Sequence, residues 1–193
     1  MNIYLYRHGE TAGNREKRYV GSTDEGLTAE AARKLKEKTA PAVDWVYTSP
    51  RLRCRETAEI LFPGIGRTEV PGLAECDFGL FEYKNYRELT GDPDYQSWID
   101  SGGTIGFPGG ESRETFQNRC MAAFSSVLAD AGRRRFQAIA LVVHGGTIMA
   151  ILSRIGVPKR DYFDWQAGNG CCVEAEEREG LLFVRENERN YYT

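Results

Sequence analysis

At 193 residues the chain is long enough for one full hydrophobic core and short for two domains of ordinary size. With 41% hydrophobic, 11% aromatic and 27% charged residues, it has the composition of a globular protein and not of a disordered or fibrous one. Lysine and arginine total 25 against 28 acidic residues, a net charge of -3, so no overall field recruits nucleic acid or an anionic membrane and any anionic ligand must be held by local charge.

Residues 2–6 (NIYLY) read as a buried strand that runs directly into Arg7, His8 and Gly9. NIYLY is only five residues before Arg7, too short for a leader, and no later apolar run approaches bilayer length, so the expectation is a cytoplasmic protein with no membrane partner. Residues 28–38 start on Thr28 and are rich in helix formers. A second short strand is expected at 43–47, followed by a helix over 49–62 with Ser49 as N-cap and Pro50 at its first position. Arg53 then falls in the first turn, and Arg51 and Arg55 suit a solvated face.

Residues 72–111, rich in Gly, Pro and aromatics, break the rhythm and read as a cap insertion over the sheet. Its aromatics Phe81, Tyr83, Tyr86, Tyr95, Trp98 and Phe107 suit either a small cap core or stacking on a ring-bearing ligand; the core reading is preferred for most of them. From Ser112 onward, Phe116, Cys120, Ala123, Phe124, Val127 and Leu128 recur at helical spacing and mark a core face. Arg133, Arg134 and Arg135 read as a solvated helix end, and with the acidic net charge they give no nucleic-acid partner. Residues 138–143 (AIALVV) form a third buried strand, ending on His144, Gly145, Gly146 and a helix start. Two runs flanking Arg178-Glu179-Gly180 look like a hairpin at a sheet edge. The βαβα order predicts an α/β fold: one domain over 1–193, a three-layer αβα sandwich with a mostly parallel sheet, an antiparallel edge strand and a cap at roughly 72–111. The five cysteines, scattered and odd in number, read as reduced buried thiols and not as a metal site.

The sequence contains two histidines, and both close a buried strand just before glycine. In open α/β sheets ligands collect beyond the carboxyl ends of the strands, so this repeated context points to one shared site. Arg7 and Arg53 offer guanidinium forks that match phosphate oxygens, and the helix start after His144 offers free N–H groups. Sulfate or carboxylate would fit the same groups.

The segments LYRHGETAGN, SPRLRCRETAEI, LAECDFGLFE, PGGES and VVHGG, in this order, resemble the motif series of the histidine phosphatase superfamily, which includes the cofactor-dependent phosphoglycerate mutases. The resemblance spans residue 4 to about residue 150. It implies that His8 is the nucleophile that becomes phosphohistidine, and that Arg7, Arg53 and His144 form the phosphate pocket. It further implies that Asn14 contributes a side-chain amide and Gly145 a backbone N–H. Glu75 matches the acidic position that serves as general acid and base, with Asp77 as its backup and a structural role expected for Glu10. No cofactor and no metal belong to this reading, because arginines supply the charge that holds the phosphoryl oxygens.

Two departures bear on specificity: Tyr83 stands where relatives often have glycine, and Ser22, beside Gly21, where an aromatic is common. Gly21, Ser22 and Tyr83 are therefore candidate substrate contacts. The compact chain is similar to the phosphatase branch, and WIDSGGTIGFPGGES with the cysteine of LRCRETA resembles α-ribazole phosphatases. The expected substrate is a small phosphorylated metabolite, α-ribazole 5′-phosphate among the candidates, and the expected state is monomer or homodimer. A phosphoglycerate mutase and an inactive phospho-ligand-binding module are the alternatives.

Overall fold

The structure is a computed structural model and describes residues 1–185. The segment NERNYYT (187–193), whose ordering over the site the sequence leaves open, lies outside them. Strands β1 (Asn2–Arg7), β2 (Trp45–Thr48), β3 (Arg67–Glu69), β4 (Ala138–Val143), β5 (Gly156–Val157), β6 (Cys172–Arg178) and β7 (Leu181–Val184) form one sheet in the order β3-β2-β4-β1-β6-β7-β5. β3, β2, β4 and β1 are parallel, β6 runs antiparallel to β1 and β7, and the short β5 pairs parallel with β7. The antiparallel element is thus the expected hairpin, turning at Glu179 and Gly180, whose φ angles of 52° and 80° suit a two-residue hairpin turn.

The helices are α1 (Ala12–Arg15), α2 (Ala29–Lys36), α3 (Leu52–Leu61), α4 (Pro93–Asp100), α5 (Arg113–Arg133) and α6 (Gly145–Ile155). Because side chains alternate along a strand, Ile3, Leu5, Ile139 and Leu141 face one side of the sheet. There they meet Phe116, Cys120, Phe124 and Val127 of α5 and Ile148, Ile151 and Leu152 of α6. Tyr6, Val46, Ala140 and Val142 face the other side and pack on Leu35 of α2 and Cys54, Ala58 and Leu61 of α3. Three layers follow from these two apolar clusters. Among the described residues, no helix is long and apolar enough to cross a membrane. All five cysteines are free, four of them buried, and burial pushes the thiols of Cys54, Cys76, Cys120 and Cys172 up.

Register aligns the ends of the central strands. Arg7 pairs with Val143 and Thr48 with Val142, so the residues that follow β1, β4 and β2, namely His8, His144 and Ser49, emerge side by side. The cap lies between β3 and α5 and consists of two single-turn 3₁₀ pieces, Pro71–Leu73 and Gly79–Phe81, and the short α4. One local expectation is corrected. The third helix starts at Leu52 with Arg51 at its N-cap and no side-chain cap, instead of starting on Ser49. Ser49 stays extended because its N–H continues the ladder to Val142 O (3.1 Å), and its hydroxyl is occupied elsewhere, as described below.

Candidate active site

His8 is pinned through its backbone. Its N–H donates to Val143 O, and its carbonyl accepts from Gly170 N (3.0 Å) and from Asn169 Nδ2 (3.3 Å). The ring is 3% exposed, with Nδ1 2.7 Å from the carbonyl oxygen of Gly9. A carbonyl can only accept, so Nδ1 carries the proton of the neutral ring and Nε2 keeps a free lone pair. Gly9 is held by Thr57 Oγ1, which accepts its N–H at 2.9 Å, and a Cβ there would lie 2.8 Å from Leu35. The first histidine is therefore oriented by backbone that is itself hydrogen-bonded and closely packed.

His144 is the N-cap residue of α6 and is fully buried. Its ring centroid lies 5.2 Å from that of His8, with planes at 67°. Nε2 is 2.7 Å from Ser49 Oγ, which also accepts the Arg51 N–H at 3.3 Å. Both histidines are held well below the ordinary imidazole value, first by burial and then by neighbouring cations: Arg53 and Arg7 for His8, and Arg53 for His144.

A group whose value is lowered by folding contributes stability that is lost as pH falls, because the unfolded chain takes up the proton that the folded one refuses. The melting temperature is accordingly expected to fall as pH is lowered through the ordinary histidine value of about 6.5, and less steeply in His144→Asn. Scanning calorimetry between neutral and mildly acidic pH checks this, and identical slopes for the two proteins would contradict it.

Two guanidinium groups supply the charge. Arg53 is completely buried; it donates from Nη1 to Thr23 O (2.8 Å) and from Nη2 to Val20 O and Gly21 O (both 3.1 Å). Arg7 Nη1 donates to Ala167 O at 2.8 Å. The Nε of each is buried without a hydrogen-bond partner. Buried donors are nearly always paired, so two unpartnered guanidinium Nε groups beside two neutral imidazoles are chemically suited to an anion. Gly145 adds the start of α6 and sits against Arg7, where a Cβ would lie 3.3 Å from Nε.

Glu75 follows the first 3₁₀ piece of the cap. Its Oε1 accepts from Cys76 N (3.0 Å) and its Oε2 from Gly146 N (3.1 Å). The contact with α6 is close: a Cβ on Gly146 would sit 2.2 Å from Oε1. Burial pushes the Glu75 carboxyl up, opposed by the two N–H bonds and by the more distant Arg53 and Arg7. A cavity of about 320 Å³ opens here, with Arg7, Glu75 and Gly145 at its polar end and Tyr19, Phe78, Trp98, Phe107, Phe116 and Tyr162 among its walls.

The remaining candidates divide. Asn14 Oδ1 accepts from Thr11 N (3.2 Å) and Asn169 Nδ2 (3.0 Å), so both of its known partners are donors and its own Nδ2 is left to donate. Gly21 serves the arginine: its carbonyl accepts from Arg53, its N–H donates to Glu82, and a Cβ would lie 2.2 Å from Cys76 O. Ser22 is exposed on that loop and does not line the cavity. Tyr83 has φ 59°, donates its hydroxyl to Glu25 (3.2 Å) and lies under Arg18, also outside the cavity lining. Asp77 accepts the Gly79 N–H at an exposed turn, and Glu10 pairs with Arg15 at 2.7 Å. Of the cap aromatics, Phe81 is cap core, Tyr86 is exposed, and Trp98 and Phe107 are stacked on each other at 5.1 Å and also face the cavity.

Four functional neighbours escape a sequence reading. Ser49 reaches His144, Asn169 bridges His8 and Asn14, and Thr57 holds Gly9. Glu82 ties Gly21 and Thr23 into the collar around Arg53, accepting from both backbone N–H groups at 2.9–3.0 Å.

Residues 3–187 match the model of the Histidine phosphatase superfamily (branch 1). The chain belongs to the histidine phosphatase superfamily. Among members of this superfamily, it is 32% identical over 168 residues to the probable phosphoglycerate mutase GpmB of Klebsiella pneumoniae, covering 82% of this chain and 76% of that protein. The α-ribazole phosphatase of Shigella flexneri superposes with a TM-score of 0.84 at 25% identity, over 100% of this chain and 99% of that one. A phosphoglycerate mutase from Thermus thermophilus superposes with a TM-score of 0.74 at 30% identity, over 96% and 98%. Solved structures with both kinds of name thus share this fold.

Proposed function

We propose that the protein is a phosphomonoesterase that hydrolyses a small phosphorylated metabolite through a phosphohistidine on His8. The observation that carries this reading is the buried, neutral His8 with Nε2 free, set beside Arg7 and Arg53, whose Nε donors are orphaned and which also act on the Glu75 carboxyl, whose affinity for protons is raised. Arg7, Arg53, the Asn14 amide and the Gly145 N–H would hold the phosphoryl oxygens, while His144 completes the pocket. Nε2 of His8 attacks phosphorus as the ester P–O bond breaks, and Glu75 gives its proton to the departing alkoxide. Water then attacks the phosphohistidine, the Glu75 carboxylate takes the water's proton, and inorganic phosphate leaves.

The cavity beyond Glu75 bears on the alcohol. Its walls are rich in aromatics, with Phe78 and Phe107 edge to face at 5.0 Å, and Arg113 also lines it, which supports a ring-bearing leaving group. The likeness to the Shigella α-ribazole phosphatase makes α-ribazole 5′-phosphate the substrate to try first. A second reading, phosphoglycerate mutase, is favoured by the names of the curated relatives and uses the same first step, but returns the phosphoryl group to a second hydroxyl.

A phosphate-release screen with chelator present separates them. It would compare α-ribazole 5′-phosphate, sugar phosphates, nucleoside monophosphates and 3-phosphoglycerate. Hydrolysis of a ring-bearing ester far above the others, unaffected by chelator, is the expected result. Conversion of 3-phosphoglycerate to 2-phosphoglycerate that requires a bisphosphorylated primer would transfer the protein to the mutases, and silence in both assays would leave a binding module.

A further inference from the structure

The PGGES segment, residues 108–112, contributes nothing to the phosphate pocket, yet it is among the most tightly packed backbone in the cap. Leu80 N donates to Pro108 O (2.8 Å) and Glu111 N to Asp77 O (2.9 Å). The two chains approach so closely that a Cβ on Gly110 would lie 2.3 Å from Asp77 O and one on Gly79 2.1 Å from Pro108 O. Only glycine permits that contact. Glu111 then turns back: its Oε2 accepts the Asp77 N–H at 3.0 Å, and its carboxylate takes a two-pronged bond from Arg119, Nε to Oε1 at 2.8 Å and Nη2 to Oε2 at 2.7 Å.

Arg119 has no donor to spare. Besides Glu111, Nη1 donates to Gly72 O and Ala74 O (both 3.0 Å) and Nη2 to Glu75 O (3.1 Å), which uses all five N–H groups. It projects from α5, whose Phe116, Cys120, Phe124 and Val127 are locked in the core, and its guanidinium lies 5.1 Å from the Phe116 ring. Glu75 and residues on both sides of it are therefore fastened to one helix, at Gly72, Ala74 and Glu75 directly and at Asp77 through Glu111.

We infer that Glu111 and Arg119 are positioning residues that hold the Glu75 carboxyl within proton-transfer reach of the leaving oxygen. The inference rests on the general-acid role proposed for Glu75. Proton donation needs hydrogen-bond distance, and small displacements of a donor are costly in rate, whereas binding of the phosphoryl group depends on Arg7 and Arg53, which the clamp does not touch.

The test uses two phosphate esters that differ in their need for an acid: benzyl phosphate, which leaves as an alkoxide, and p-nitrophenyl phosphate, which leaves as a stabilised phenolate. Glu111→Gln and Arg119→Lys are compared with Glu75→Gln, with thermal melts to verify folding. Both clamp variants are expected to lose about tenfold in kcat/KM on benzyl phosphate and far less on p-nitrophenyl phosphate, moving the ratio in the direction of Glu75→Gln. If only Glu75→Gln moves the ratio, the clamp is overturned and the general acid stands. If Glu75→Gln does not move it, the general-acid reading falls and the clamp falls with it. Should Arg119→Lys fail to fold, Glu111→Gln, which changes one atom, decides alone.

Discussion

Replacing His8 by alanine is expected to lower turnover by a factor of about 10³ or more while the protein still folds, as for other residues on which a covalent intermediate depends. His144, the other histidine, is poorly placed to take over, because its Nε2 is engaged with Ser49 Oγ at 2.7 Å and Cys54 Sγ at 3.6 Å, whereas the Nε2 of His8 makes no hydrogen bond among the described residues. The fold tolerates the change because the His8 ring bonds only to the carbonyl of its own neighbour. The strand end is kept by backbone bonds to Val143, Gly170 and Asn169 that alanine preserves. Initial rates on p-nitrophenyl phosphate with a parallel melt check both halves, and retention of a tenth of the activity would refute the assignment.

Glu75→Gln should separate substrates by leaving group. A benzyl or ribosyl oxygen needs a proton as the P–O bond breaks, and removing the acid is expected to cost about 10²-fold or more there, but much less on p-nitrophenyl phosphate. The same variant has a pH signature. Burial raises the Glu75 value, so the protonated form that donates is lost as pH rises through that raised value, which gives the wild-type rate an alkaline limb. Glutamine does not titrate, so the limb disappears. His8 contributes no limb near its ordinary value, because burial and the adjacent arginines keep it neutral well below that value. Equal losses on both esters, or an alkaline limb that survives in the variant, would remove Glu75 from the reaction.

What the sequence reveals about this protein tracks the range of the interactions involved. The three buried strands are short apolar runs, the core face of α5 repeats at helical spacing, and the two histidines share one context, so each is legible locally. Parallel register then brings His8 and His144 together without further instruction. The groups that orient them are not local. Asn169 sits 161 positions from His8, Ser49 sits 95 from His144, and Arg119 reaches the carbonyl of Glu75 across 44, and nothing local to any of the three names its distant partner. Ser49 even carries a misleading signal, since Ser-Pro before a run of helix formers is good N-cap chemistry, and only the strand ladder that holds its N–H overrides it. Tyr83 and Ser22 illustrate the converse. Both stand at positions singled out by the resemblance, yet the chain directs Tyr83 to Glu25 and leaves Ser22 in solvent.

The central claim is a covalent phosphoryl group on one nitrogen of one histidine, and rapid-quench trapping tests it most directly. The enzyme is mixed with a 32P-labelled ester, stopped in alkali within a single turnover and digested for mass spectrometry. An acid-labile, base-stable phosphoryl group on the peptide carrying His8, bonded to Nε2 and absent from His8→Ala, is the expected result. Phosphate release in a full burst with no labelled His8, or the label on another residue, would contradict it.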